Sequence, residues 1–187
     1  MIRLARSISA ATLVGCLASC ATTGGVAMPT SDRPEPTTTT GIQFPPIPEE
    51  RSVRDFLRKP CDVLTDALVA EFGLDLSSAR EDVGDRASDC LIADNGERRL
   101  KVNLVDDELL RYTVDPDPEP GTFEVIEVDG FPATRFITNG GCRIVVGIAE
   151  EQGFWVIFEP GEGEVDDAVC RKAVAAAEAV LAKLPTA

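Results

Sequence analysis

Between residues 98 and 105 the chain alternates strictly, with Leu100, Val102 and Leu104 set between Arg99, Lys101 and Asn103. A period of two predicts a strand with one wet face. The apolar run Asp89–Ala93 precedes it, and the intervening Asp94-Asn95-Gly96-Glu97 carries the Asn-Gly signal of a tight hairpin. Four more runs follow, at 123–128, 131–138, 142–149 and 154–159. Asp129-Gly130, Asn139-Gly140-Gly141 and Glu150–Gly153 separate them, and Pro160-Gly161 ends the last. Links this short require antiparallel neighbours. Pro132 lacks a donor N–H, so it belongs at a strand start or bulge.

The period changes to that of a helix in Asp166–Leu184, where Cys170, Ala173, Val174, Ala177, Leu181 and Leu184 share one stripe. Asp166 and Asp167 suit its positive end, and Pro185 stops it. A short helix is predicted over 66–72, between Thr65 as N-cap and Gly73 as stop. Asp106–Tyr112 reads as a helical turn and Asp115–Gly121 as a loop. The expected fold is α+β. It is an antiparallel sheet of about six strands, a hairpin plus a four-stranded meander. A short N-terminal helix and a long C-terminal helix pack on it.

Ahead of this domain the pattern is different. Met1–Ser7 carries Arg3 and Arg6 without an acid, and Ile8–Ala18 is mostly apolar. A basic start and a short apolar stretch predict an export signal over residues 1–19. The stretch is too short for a membrane span, which needs about 20 apolar residues. It ends in Leu17-Ala18-Ser19-Cys20, which resembles the lipobox of bacterial lipoproteins, where a small residue opens the bond before a cysteine to a peptidase. The resemblance implies Cys20 as the lipid-attachment residue, bearing diacylglycerol and an acyl chain such as palmitate. Leu13-Val14-Gly15-Cys16 competes with it but leaves a shorter apolar stretch. Two or three chains on one residue anchor stably where one is marginal. The partner implied is the cell membrane, with the protein facing outside the cytoplasm. Residues 20–52 are rich in Pro and Thr without apolar periodicity, which predicts a disordered tether. About 30 flexible residues reach roughly 30 Å. Thr37–Thr40 is either an O-glycosylation tract or plain linker. The single domain is expected over 53–187.

Charge narrows the partners. Of 187 residues 32 are Asp or Glu and 18 Lys or Arg, giving a net charge of −14. The signal holds two Arg and no acid, so its removal takes the charge to −16. An acidic chain of this kind is not expected to bind nucleic acid. His is absent, so imidazole bases and ligands are excluded. No cofactor is expected.

Four cysteines, Cys61, Cys90, Cys142 and Cys170, remain in the domain. Export places them in an oxidising compartment, where they read as two disulfides. The strand from residue 142 begins beside the end of the strand 154–159, and the last helix starts just after that end. Cys142 and Cys170 are therefore close, which leaves Cys61 with Cys90. Each bridge contributes roughly 3–4 kcal/mol by restricting the unfolded chain. No pair has the short spacing of a zinc site.

Candidate chemistry is sparse. Asp115, Asp117 and Glu119 alternate before Gly121, but the glycine stands one place late for an EF-hand and three prolines stiffen the run. Glu150 and Glu151 are adjacent at a turn and point apart, unlike a glycosidase pair. No catalytic residue and no metal ligand is assigned. The strand 154–158 is apolar on both faces, with Trp155 and Ile157 opposite Phe154, Val156 and Phe158. Such a strand is covered on both sides. The Trp155 and Ile157 face meets either core or an apolar ligand, and Gly147 and Ala149 nearby leave room there.

Pro60-Cys61-Asp62-Val63-Leu64-Thr65, Cys90, Asp129-Gly130-Phe131-Pro132-Ala133 and the Cys170 helix ending in Ala179–Leu184 together resemble a family of small actinobacterial cell-envelope lipoproteins. That family opens its domain with Pro-Cys-x-Leu-Leu-Thr. The resemblance implies an envelope lipoprotein of uncharacterised function and assigns no catalytic residue. Two functions stay open: a non-enzymatic binding or interaction module, with an apolar ligand or envelope protein as partner, and a carboxylate-dependent envelope hydrolase.

Overall fold

The computed structural model describes residues 44–95, 98–107, 123–138, 140–161 and 165–187. Cys16, Cys20, Thr37–Thr40, residues 108–112 and Asp115–Gly121 lie outside the described residues. The described part belongs to one compact unit, Gly41–Ala187.

That unit is a single open antiparallel sheet with one long helix against it. The strands are β1 (Arg80–Val83), β2 (Ala87–Ala93), β3 (Arg98–Asp106), β4 (Phe123–Val128), β5 (Phe131–Thr138), β6 (Gly141–Gly147) and β7 (Gln152–Pro160). Their order across the sheet is β1-β2-β3-β7-β6-β5-β4. The hairpin and the meander are thus one sheet, joined where Arg98–Asp106 pairs with Pro160–Gln152. The count is seven where about six were expected. The added strand, β1, reads Arg-Glu-Asp-Val with every residue exposed. It has no apolar alternation to betray it and lies on the sheet edge, where charges guard against further pairing.

Alternation in β3 places Leu100, Val102 and Leu104 inward, all 0% exposed. In register with them are Ile92 and Cys90 on β2, and Phe158, Val156 and Phe154 on β7. Cys142, Ile144 and Val146 continue the same layer on β6. The helix covering this layer, Asp167–Lys183, is α2 here; a shorter helix, α1, spans Asp66–Glu71. The carboxylate of Asp166 accepts N–H bonds from Ala168 and Val169, capping α2. Its buried stripe includes Ala173, Ala176 and Ala177, small residues that let the backbone come close to β6 and β7. Ala176 faces the core in addition to the expected stripe, and Val174 is only half-buried.

The expected single N-terminal helix on the sheet is replaced by a string of short helical pieces. These are 3-10 turns at Arg54–Phe56, Pro60–Val63 and Leu76–Ser78, with α1 of only six residues among them. Thr65 caps α1 by accepting from the Leu68 N–H. Pro60 and the tie of Cys61 to β2 interrupt any longer helix. Single side chains hold this string down. Ser88 on β2 donates to the Leu57 carbonyl at 2.7 Å, and Gln152 accepts from the Val53 N–H at 3.0 Å.

Residues ahead of 53 join the same compact unit. Arg51 donates its backbone N–H to the Ile148 carbonyl, Ser52 to that of Pro185, and Ala187 to that of Glu50. Ile47 packs against the core. The composition of 20–52 hides this because the pairing uses backbone groups, which any residue supplies. Asp106 belongs to β3 rather than to a helical turn, and β6 ends at Gly147, which leaves Ala149 in the following turn.

Two glycine positions are demanded by geometry. Asp129 and Gly130 both take positive φ, 49° and 80°, forming the β4–β5 turn. At Gly141 a Cβ would stand 2.3 Å from the Phe158 carbonyl oxygen. Gly141→Ala is therefore expected to push β6 off β7 and to lower stability by about 1–3 kcal/mol in urea unfolding. An unchanged midpoint would show that β6 and β7 are not in this close contact.

Candidate functional site

The structure joins Cys61 to Cys90 and Cys142 to Cys170, the pairs that the meander requires. The second staples the start of β6 to the first turns of α2. It fixes the helix over β7 and so shapes the clefts at that end.

On the sheet face opposite α2, Trp155 lies between Asn103 of β3 and Val145 of β6. It is half-buried. Lys101 Nζ and Arg143 Cζ each stand 5.0 Å from its ring centroid. Cations at that distance are attracted by the ring quadrupole. Asp89 on β2 steadies the row, accepting from Asn103 Nδ2 at 2.6 Å and pairing with Lys101 Nζ at 2.9 Å. Arg143 Nε is buried without a hydrogen-bond partner. Ile157, expected beside Trp155 on this face, is 8% exposed, and Val145 is 5%. Gly147 pairs with Gly153 next to Trp155, so the ring has small neighbours on one side. Ala149 is not part of that strand.

A second arrangement lies on the helical side of the sheet, between α1 and the start of α2. Phe72 and Phe158 meet edge to face, with centroids 4.9 Å apart. Lys172 of α2 places Nζ 5.4 Å from the Phe158 centroid and 5.9 Å from that of Phe72. Arg98 donates from Nη1 to the Gly73 carbonyl at 3.3 Å, so it is held at the end of α1. These four side chains border an open cleft of about 450 Å³. Cleft and Trp155 row have the same composition: an aromatic surface flanked by two cations, in a chain whose net charge is −14. In the sequence Lys101 lies on a wet strand face and Phe72 at the end of a short helix, and nothing there sets Arg98, Arg143 or Lys172 beside a ring. Each becomes a neighbour of an aromatic ring only through strand register or helix docking.

The carboxylates are deployed otherwise. Glu150 and Glu151 are both exposed in the β6–β7 turn. Asp106 and Asp107, at the end of β3, pair with Arg54 and Arg86 at 2.9 and 2.7 Å. Hydrogen bonds from these guanidinium groups, then charge attraction, raise the pKa of both arginines. The Asp75 carboxyl lies below its ordinary value because it accepts from the Ser77 N–H. That is a turn-capping role rather than acid catalysis. Among the described residues no group of three or more Cys, Asp or Glu is placed to hold a metal ion. No helix among them is long and apolar enough to cross a membrane.

No curated protein and no solved structure matches this chain. A family model described as Protein of unknown function (DUF3558) matches residues 11–183, nearly the whole length, and the chain belongs to that family.

Proposed function

We propose that this protein is a lipoprotein anchored in the cell membrane through Cys20, facing outside the cytoplasm, and that its domain is a non-enzymatic binding or interaction module. The observation that carries the location is the conjunction of two independent features. A basic and apolar leader ends at Leu17-Ala18-Ser19-Cys20, and the domain behind it is closed by two disulfides. Disulfides persist in oxidising compartments, which is where such a leader delivers a chain. The likeness to small actinobacterial envelope lipoproteins agrees with this. The binding reading rests on the two aromatic surfaces, each edged by a pair of cations. That chemistry suits an apolar partner bearing negative charge.

Cys20→Ala is expected to move the protein from the membrane fraction to unprocessed or released forms, while Cys16→Ala leaves it anchored. The opposite result would place the anchor at Cys16; retention by both variants would remove the lipid anchor from the proposal. For the domain, Trp155→Ala is expected to lower stability by less than the roughly 3–5 kcal/mol typical of a core aromatic, because part of the ring is exposed. Urea unfolding reads this directly. A loss within the core range would make Trp155 a packing residue and leave it no recognition role.

A further inference from the structure

The two disulfides are not equally reachable. Cys142 and Cys170 are 0% and 1% exposed. Cys90 is likewise 0% exposed, but its partner Cys61 is half-buried. Cys61 lies in the wall of an open cavity of about 470 Å³ together with Asp62, Leu64, Leu76, Ala79 and Glu81. Cys61 belongs to the short 3-10 turn Pro60–Val63, outside the sheet, whereas Cys90 is inside β2. Glu81 stands in register with Cys90 on the edge strand β1, and its carboxylate accepts from the Cys61 N–H at 3.1 Å.

From this geometry we infer that Cys61–Cys90 is a thiol-exchange site, entered at Cys61 Sγ only, and that it selects cationic thiol reagents over anionic ones. An incoming thiolate forms a bond to Cys61 Sγ as the Cys61–Cys90 bond breaks. Cys90 leaves with the electron pair and takes up a proton. The mixed disulfide sits on Cys61. Cys90 is in the apolar core, where its thiolate is disfavoured. Cys90 also remains beside Cys61, with Cα atoms 4.9 Å apart in the disulfide, so the mixed disulfide exchanges with the closed bridge until acid removes the thiolate that closes it. Net reduction is carried furthest by a second thiol on the same reagent, whose attack is intramolecular. That thiol attacks the mixed disulfide, releases Cys61 as a thiol and oxidises the reagent to its own disulfide. Asp62 and Glu81 at the cavity repel an approaching anion and favour a thiol with positive charge beside it. The proposal depends on the disulfide pair and not on lipid anchoring at Cys20, so either can fail alone.

The test uses the full chain at neutral pH without denaturant. It is exposed to cysteamine or to 2-sulfanylethanesulfonate, quenched in acid, alkylated and mapped by mass spectrometry. The expected adduct is on Cys61, with alkylation on Cys90 and Cys142–Cys170 intact. Cysteamine should react at least about threefold faster, the ratio falling toward one at high salt and in Glu81→Gln. Dithiothreitol and thioredoxin distinguish a small dithiol from a dithiol protein: reduction by both identifies a surface open to oxidoreductases, and by dithiothreitol alone a site for small thiols. An adduct on Cys90, earlier opening of Cys142–Cys170, no reaction, or equal rates for the two charged thiols would overturn the inference. So would simultaneous opening of both bridges at a rate that urea accelerates, since that is exchange through global unfolding.

Discussion

The pairing of β3 with β7 is the contact on which the remaining architecture depends. Nine consecutive residues of each strand are in register, from Arg98 with Pro160 to Asp106 with Gln152. On one side of that line lie β1 and β2, on the other β6, β5 and β4. Without it the hairpin and the meander would each expose a hydrophobic face and an open edge. With it, β7 becomes an interior strand, and its two apolar faces have a physical reason. Phe154, Val156 and Phe158 enter the layer beneath α2, while Trp155 and Ile157 turn to the opposite face. The same register brings Lys101 beside Trp155 and Arg98 beside the Phe72 cleft, so both aromatic surfaces follow from one alignment.

The disulfides act on different parts of this frame. Cys142–Cys170 ties the sheet to α2 through two cysteines that are themselves 0% and 1% exposed, so it reinforces packing that hydrophobic burial favours anyway. Cys61–Cys90 ties the string of short helical turns to β2. Those turns are too short to hold themselves by helix cooperativity, although Val53, Leu57, Val63, Leu64, Val69, Phe72 and Leu74 enter the core. Their position rests on a covalent link, on the Ser88 bond to the Leu57 carbonyl, and on Gln152 holding the Val53 N–H. A thiol that opens that link acts on the least self-supporting layer of the fold.

What could be read from the sequence follows the physics of each signal. Strands with an apolar face, such as Leu100, Val102 and Leu104, announced themselves, and tight turns such as Asp129-Gly130 fixed which neighbours are antiparallel. The long helix was legible from its stripe, and its positive end from Asp166 and Asp167. The edge strand β1 was not, because Arg80, Glu81 and Asp82 obtain their place from backbone hydrogen bonds to β2 and bury nothing. The joining of β3 to β7 was also hidden: no short turn links them, and long-range register leaves no local mark. The attachment of Glu50, Arg51 and Ser52 was hidden for a related reason, since main-chain bonds to Ile148, Pro185 and Ala187 hold them.

The candidate surfaces were half legible by the same reasoning. A lone Trp on a two-sided strand drew attention to Trp155, but its neighbours come from β3 and β6, and the charge pattern around it exists only once three strands are aligned. That pattern bears on what the surfaces can do. A cation placed over a ring is partly neutralised by the ring quadrupole and loses little by staying there, so Lys101, Arg143 and Lys172 are held at aromatic surfaces in a protein with a large acidic excess. The surrounding carboxylates repel anions at long range, whereas these cations act at contact distance. A partner recognised here must therefore bring enough apolar area to reach the rings, with its negative charge confined to the edge that meets the cations.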